Sequence, residues 1–169
     1  MQIFSVDGLC FDFPDDWLVT KYDDWAFYRK QFVRMWDGIK AVDLLALSPE
    51  GTLYLIEAKD YRRHRREKGL GIADEAAHKA FDTLAALLPA KIRAPDGPER
   101  DVAMRFLSAV KLQVVLHLEQ PQTQSRLFPR IDPANVLQKL RQLVKPLDAH
   151  PVVAGMGRMG SLAGKWAVR

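Results

Sequence analysis

The chain has 169 residues, a single cysteine and a formal net charge of +4, with 48% hydrophobic and 27% charged residues. That length supports one domain with a proper core, and the proportions are globular rather than disordered or fibrous. The lone Cys10 excludes an internal disulfide framework and a CxxC zinc site. No run approaches the ~20 apolar residues of a membrane span, and the start MQIFSVDGLC has no signal-peptide pattern, so a cytoplasmic protein without membrane attachment is expected.

In chain order, residues 2–6 and 9–13 are strand-like runs around Asp7-Gly8, a strong hairpin signal. Residues 17–36 are ambiguous between helix and alternation. Trp25, Tyr28, Phe32 and Trp36 fall at helical spacing, so a helix is expected over at least 24–34, with Asp23 or Asp24 as its N-cap. Asp37-Gly38 then turns into IKAVDLLALSPEGTLYLIEAKDYR, two apolar runs around a tight Ser48-Pro49-Glu50-Gly51 turn. Ser first and Pro second suit a type I turn, and Gly51 suits the left-handed position of a bulged three-residue loop.

The bulge decides the register. With Ser48 facing Thr52, Asp43 falls opposite Glu57, and Lys59 lies two residues further along the same face. A plain four-residue loop would turn Asp43 away from Glu57. Two adjacent carboxylates repel, which raises the pKa of at least one, and a divalent cation such as Mg²⁺ relieves that repulsion. Lys59 would reach the same place, to orient a water or offset charge on a phosphate. The plainer alternative is an exposed Glu57–Lys59 pair with Asp43 solvated. The three residues together, on a hairpin apolar on both faces, favour the metal site.

The segment 61–70 holds Arg62, Arg63, Arg65, Arg66 and Lys68 against one acid, Glu67, and the remaining basic and acidic residues cancel. Arginine clusters suit phosphate both as charge and as bidentate donors, although most charge runs are solvated loops. After Gly69 and Gly71 a helix is expected over 72–88, with an apolar stripe of Ala73, Ala77, Ala80, Phe81, Leu84 and Leu88. Glu75 and Lys79 read as a routine surface pair, with contact between Lys79 and phosphate as the second reading. His78 reads as a surface residue.

Residues 89–101 are rich in Pro, Gly and charge, hence a loop. A short helix over 102–109 and a buried strand over 111–119 follow, with His117 a core or edge histidine. Asp132-Pro133 opens a helix that Pro146 stops. Residues 151–154 make a strand, and Trp166 and Val168 a short edge strand. The interleaving of elements predicts an α/β or α+β layered domain with a mixed central sheet and helices on each face. It comprises an N-terminal hairpin (1–14), the acidic hairpin (39–60), the basic loop (61–71), and the helices and C-terminal strands (72–169).

Asp43, thirteen residues, then Glu57-Ala58-Lys59 resembles the motif of the PD-(D/E)XK nuclease superfamily, with Val42 where the eponymous proline stands. The resemblance implies a restriction-endonuclease-like fold and Mg²⁺- or Mn²⁺-dependent hydrolysis of DNA phosphodiester bonds, in repair or phage defence. It implies metal held by Asp43, Glu57 and the Ala58 carbonyl, with Lys59 assisting. The upstream acid that many members carry would fall to Asp24. Arg62, Arg63, Arg65, Arg66, Lys68 and Lys79 would then bind DNA, RNA not being excluded, in a homodimer or as a subunit of a larger complex. Two further expectations stand beside it: a silent module that binds nucleic acid or a partner protein, and an inhibitor-like partner for an acidic surface.

Overall fold

The computed structural model describes residues 1–62, 71–123 and 130–169. Residues 2–6 and 9–13 form the expected hairpin, β1 (Gln2–Val6) and β2 (Leu9–Phe13), paired from Gln2–Phe13 to Val6–Leu9. Asp7 and Gly8 both have positive φ, 49° and 81°, the conformation of a tight turn that matches strand twist. A third strand follows, β3 (Leu18–Lys21).

The helix expected over 24–34 is broken. Its residues form a 3-10 turn at Tyr22–Asp24, a short α1 (Ala26–Lys30) and another 3-10 turn at Phe32–Arg34. The aromatics behind the helical spacing pack separately: Trp25 stacks on Phe106, whereas Trp36 is 60% exposed. Tertiary burial overrides periodicity here.

The central sheet contains β3, β4 (Leu44–Leu47), β5 (Thr52–Asp60), β6 (Lys111–Glu119) and β7 (Val152–Ala154), in that spatial order. The β4–β5 register is the bulged one, with Leu44 opposite Ile56 and Leu47 opposite Leu53. The Gly51 amide donates to the Ser48 carbonyl at 2.9 Å, with Gly51 at φ 83°. The pairs β3–β4 and β4–β5 are antiparallel, and β5–β6 and β6–β7 are parallel, so the sheet is mixed as expected. Parallel strands need long crossovers. They are supplied by α2 (Ile72–Arg93) with α3 (Gly97–Phe106), and by α4 (Pro133–Val144). Asp96 and Asp132 cap α3 and α4, each followed by an early proline.

Alternation along β5 divides the core. Leu53 and Leu55 face a cluster built with α2, α3 and α4, while Tyr54, Ile56 and Ala58 face a second cluster. Helices were expected on both faces, yet the second face is closed by a small sheet of β1, β2 and β8 (Ala167–Val168). Trp17, Tyr54 and Trp166 meet beneath it, with ring centroids 5.2–5.9 Å apart. The amphipathic strand β2 and two tryptophans provide the apolar cover a helix would otherwise give.

Two further differences concern the helices. α2 runs on through Pro89 to Arg93 and α3 begins at Gly97, so the two helices together take up most of the expected 89–101 loop. The buried side of α2 is the small one, with Ala73, Ala76, Ala80, Ala86 and Ala90 inside, while Phe81 and Leu88 are exposed. An alanine face allows close approach of the helix to the sheet, and this draws its polar residues inward. No helix among the described residues is long and apolar enough to cross a membrane.

Candidate functional site

Where the acidic hairpin meets α2, five charged side chains converge. Glu57 sits on β5 with its side chain 2% exposed, and its Oε1 is 2.6 Å from Lys59 Nζ and 2.7 Å from Lys79 Nζ. Lys79 Nζ also lies 3.6 Å from Asp43 Oδ1, and Lys59 Nζ lies 3.3 Å from Glu75 Oε1. Asp43 reaches its place just before β4 because α2 holds the incoming chain. Asp82 accepts the Lys40 amide at 2.9 Å and Thr83 Oγ1 accepts the Val42 amide at 3.0 Å. Asp43 Oδ2 in turn accepts the Ala58 amide at 2.8 Å.

The electrostatics follow from burial. Burial first, then the Asp43 charge, pushes the Glu57 carboxyl up to about 7, against the pull of Lys79 and Lys59. For both lysines burial acts to lower the pKa, but contact with Glu57 and the other carboxylates outweighs it, and each is held above the ordinary lysine value. Both lysines stand as counter-ions to the buried carboxylates. Asp23 is raised by burial and by Asp43.

The structure thus brings Asp43, Glu57, Lys59 and Lys79 together, and adds Glu75. Glu75 and Lys79 are not the surface pair that the sequence suggests. Glu75 is fully buried, and each residue reaches across to β5. The signal for this was the alanine spacing of α2, since Glu75 lies among Ala73, Ala76 and Ala77. Ala58 contributes its amide, and its side chain joins the opposite cluster. Asp24 lies apart, exposed and 3.5 Å from Lys21; its neighbour Asp23 is the residue that senses Asp43. Arg62 is folded onto Asp60, with Nε 2.9 Å from Oδ1 and Nη2 2.6 Å from Oδ2. Arg63, Arg65, Arg66 and Lys68 fall outside the described residues.

For Mg²⁺ or Mn²⁺ the donor set is divided. Glu57 Oε2 is buried without a hydrogen-bond partner among the described residues, an atom a cation could take. Oε1 and Asp43 Oδ2 are already engaged, and no group of three or more His, Cys, Asp or Glu among the described residues could hold a metal. The ammoniums of Lys59 and Lys79 already give Glu57 the counter-charge that the metal was expected to bring.

A second feature lies at the carboxyl ends of β6 and β7, a cleft of about 300 Å³. Leu118, Pro121, Pro133 and Val153 are among its apolar walls, and Arg130 and Arg158 are its charged residues. Residues 155–164 are rich in glycine and give no helix or strand pattern. In the structure, Gly155 and Arg158 exchange backbone hydrogen bonds of 3.2 and 2.8 Å, and Glu119 Oε1 accepts the Met156 amide at 2.5 Å. The buried His117 donates from Nε2 to the same oxygen at 2.9 Å, burial keeping its pKa below the ordinary histidine value.

No family model and no solved structure matches the chain. It is 34% identical over 179 residues to a cysteine–tRNA ligase of Neisseria meningitidis serogroup A / serotype 4A. The alignment covers 86% of this chain and 26% of that protein, so the chain spans about a quarter of the relative's length. This overturns the nuclease assignment. The PD-(D/E)XK resemblance, DNA hydrolysis and a role in phage defence had rested on one short hairpin motif, whereas the match to the ligase runs over most of the chain. In the structure the same residue types belong to an ion cluster of three carboxylates and two ammoniums that ties β5 to α2.

Proposed function

We propose that the chain is an RNA-binding module allied to aminoacylation, which grips the phosphate backbone of tRNA beside a ligase activity located elsewhere. The observation that carries this reading is the match to a stretch of cysteine–tRNA ligase over 86% of the chain. Charge supports it. The excess of basic residues lies in the segment directly after β5, and Arg130 and Arg158 stand by the ends of the neighbouring parallel strands. Open α/β sheets place ligands outside the carboxyl ends of their strands. Backbone recognition by Arg and Lys gives affinity that falls steeply with salt.

The test is fluorescence anisotropy with a labelled tRNA transcript and a DNA duplex of equal length, from 50 to 200 mM salt. The expected result is preference for tRNA, with log K falling against log salt at a slope of roughly −4 if five cations each displace a counterion. Replacing Arg62, Arg63, Arg65 and Arg66 with serine should flatten that slope. Absence of tRNA binding at 50 mM salt, or binding of tRNA and DNA alike with no response to the serine variant, refutes the reading.

A further inference from the structure

We infer that the cleft between the ends of β6 and β7 is a subsite for one nucleoside phosphate, with its base on the apolar walls and its phosphate between Arg130 and Arg158. The inference rests on the RNA reading where the nucleotide belongs to a strand, but the chemistry is the same for a free nucleotide.

Shape comes first. A volume of about 300 Å³ lies at the lower end of the range for small-molecule sites, which are mostly apolar with a few placed polar groups. Leu118, Pro121, Pro133 and Val153 offer apolar surface for a base, and the cleft is open to solvent on one side.

Charge comes second. Among the described residues no acid lines the cleft, although Glu119 lies at the end of β6 directly behind it. That carboxylate is drawn inward by the His117 Nε2–H and the Met156 amide, and its partners fix the 155–158 loop at the same time. The loop needs glycine to pass there, since a Cβ on Gly155 would lie 3.1 Å from the Leu118 carbonyl oxygen and 3.2 Å from Glu119 Oε1. The acid is thus used to build the loop rather than to repel an anion. Both arginines are exposed, and neither makes an ion pair among the described residues. Two guanidiniums with no carboxylate partner among the described residues suit the bidentate recognition of phosphate.

Gln120 supports the arrangement. Its side chain donates to the Ile131 carbonyl at 2.9 Å and accepts the Ile131 amide at 2.7 Å, which holds the chain next to Arg130 in place. The cleft is therefore braced on both sides by half-buried hydrogen bonds.

The experiment uses the full chain with adenosine and cytidine monophosphates, inorganic phosphate, and the labelled tRNA. Binding is read by calorimetry for the small molecules and by anisotropy for the RNA, in wild type, Arg130→Ala, Arg158→Ala and Arg158→Lys. The exposed arginines can be replaced without opening the core, and matched melting temperatures verify this. The expected result is monophosphate binding tighter than inorganic phosphate, lost at least tenfold in either alanine variant and partly restored in Arg158→Lys. Monophosphate should also compete with tRNA.

If mononucleotide binds in this pattern while tRNA does not, the subsite stands as a free-nucleotide site and the RNA reading fails. If tRNA binds but neither alanine variant weakens it and no monophosphate binds, the subsite is refuted and the RNA reading survives. Phosphate binding as tight as nucleotide refutes the role of the apolar walls. No binding of any probe refutes both.

Discussion

Glu57→Gln decides between two opposing effects inside the ion cluster. Two ammoniums within 2.7 Å favour the Glu57 carboxylate, while burial and Asp43 oppose it. The net result is a carboxyl raised from 4.5 to about 7 in the folded protein. A raised carboxyl pKa means that the folded state keeps a proton the unfolded chain has released. Stability from this group is therefore fully present below pH 4.5 and declines as pH rises towards 7, after which it is level. At 1.36 kcal/mol per unit, the decline is on the order of 3 kcal/mol. Glutamine has the shape of the protonated acid and no proton to lose. The variant should match wild type near pH 4.5 and exceed it by roughly 3 kcal/mol at pH 8, about 6–12 °C in melting temperature for a chain of this size. Thermal unfolding by circular dichroism, on both proteins from pH 4.5 to 8.5, reads the difference directly. A variant less stable than wild type at pH 8 would show that the lysine pairs outweigh burial and would refute the reasoning.

Removing one of the lysines should act in the opposite direction. Lys79→Met takes away a group that lowers the Glu57 pKa, so the declining limb should extend above pH 7. A broken buried pair costs about 3–5 kcal/mol; Glu57 keeps Lys59 and can take a proton, so a loss nearer 2 kcal/mol at pH 8 is expected in the same melts. Asp148→Ala addresses the strand β6 instead. This carboxylate accepts the Val114 amide at 2.8 Å and Gln113 Nε2 at 2.9 Å, so its removal strands a buried N–H at a cost of about 1–3 kcal/mol. Urea unfolding should show a lower midpoint, and an unchanged midpoint would mean that water replaces the carboxylate.

The parts of the fold legible in the sequence were those set by local chemistry. Asp7-Gly8 and Gly51 specified their turns, and the β4–β5 register followed from the bulge alone. Asp132-Pro133 marked the start of α4 without help from packing. The parts that escaped depend on partners distant in the chain. Trp25 and Trp36 looked equivalent by spacing, but Phe106 covers only the first. Phe81 and Leu88 looked like core, yet six alanines take the inner face of α2. The candidate site shows the same division. That Asp43, Glu57 and Lys59 share a face was readable from register. That Lys79 and Glu75 complete an ion cluster was not, because it depends on how closely α2 approaches the sheet. The nuclease reading drew its strength from the first of these facts and lacked the second.

The parallel pairing of β5 with β6 also bears on how quickly the chain can fold. Leu55 and Val114 are register partners, yet the whole of α2 and α3 lies between them. The entropy of closing so long a loop is spent before any ladder bond returns it, and chains dominated by such pairings fold slowly. The hairpins β1–β2 and β4–β5 and the paired helices α2 and α3 need only near neighbours. The topology therefore points to a nascent chain holding these local pieces early, with its broadest apolar surface exposed until β6 arrives to join them.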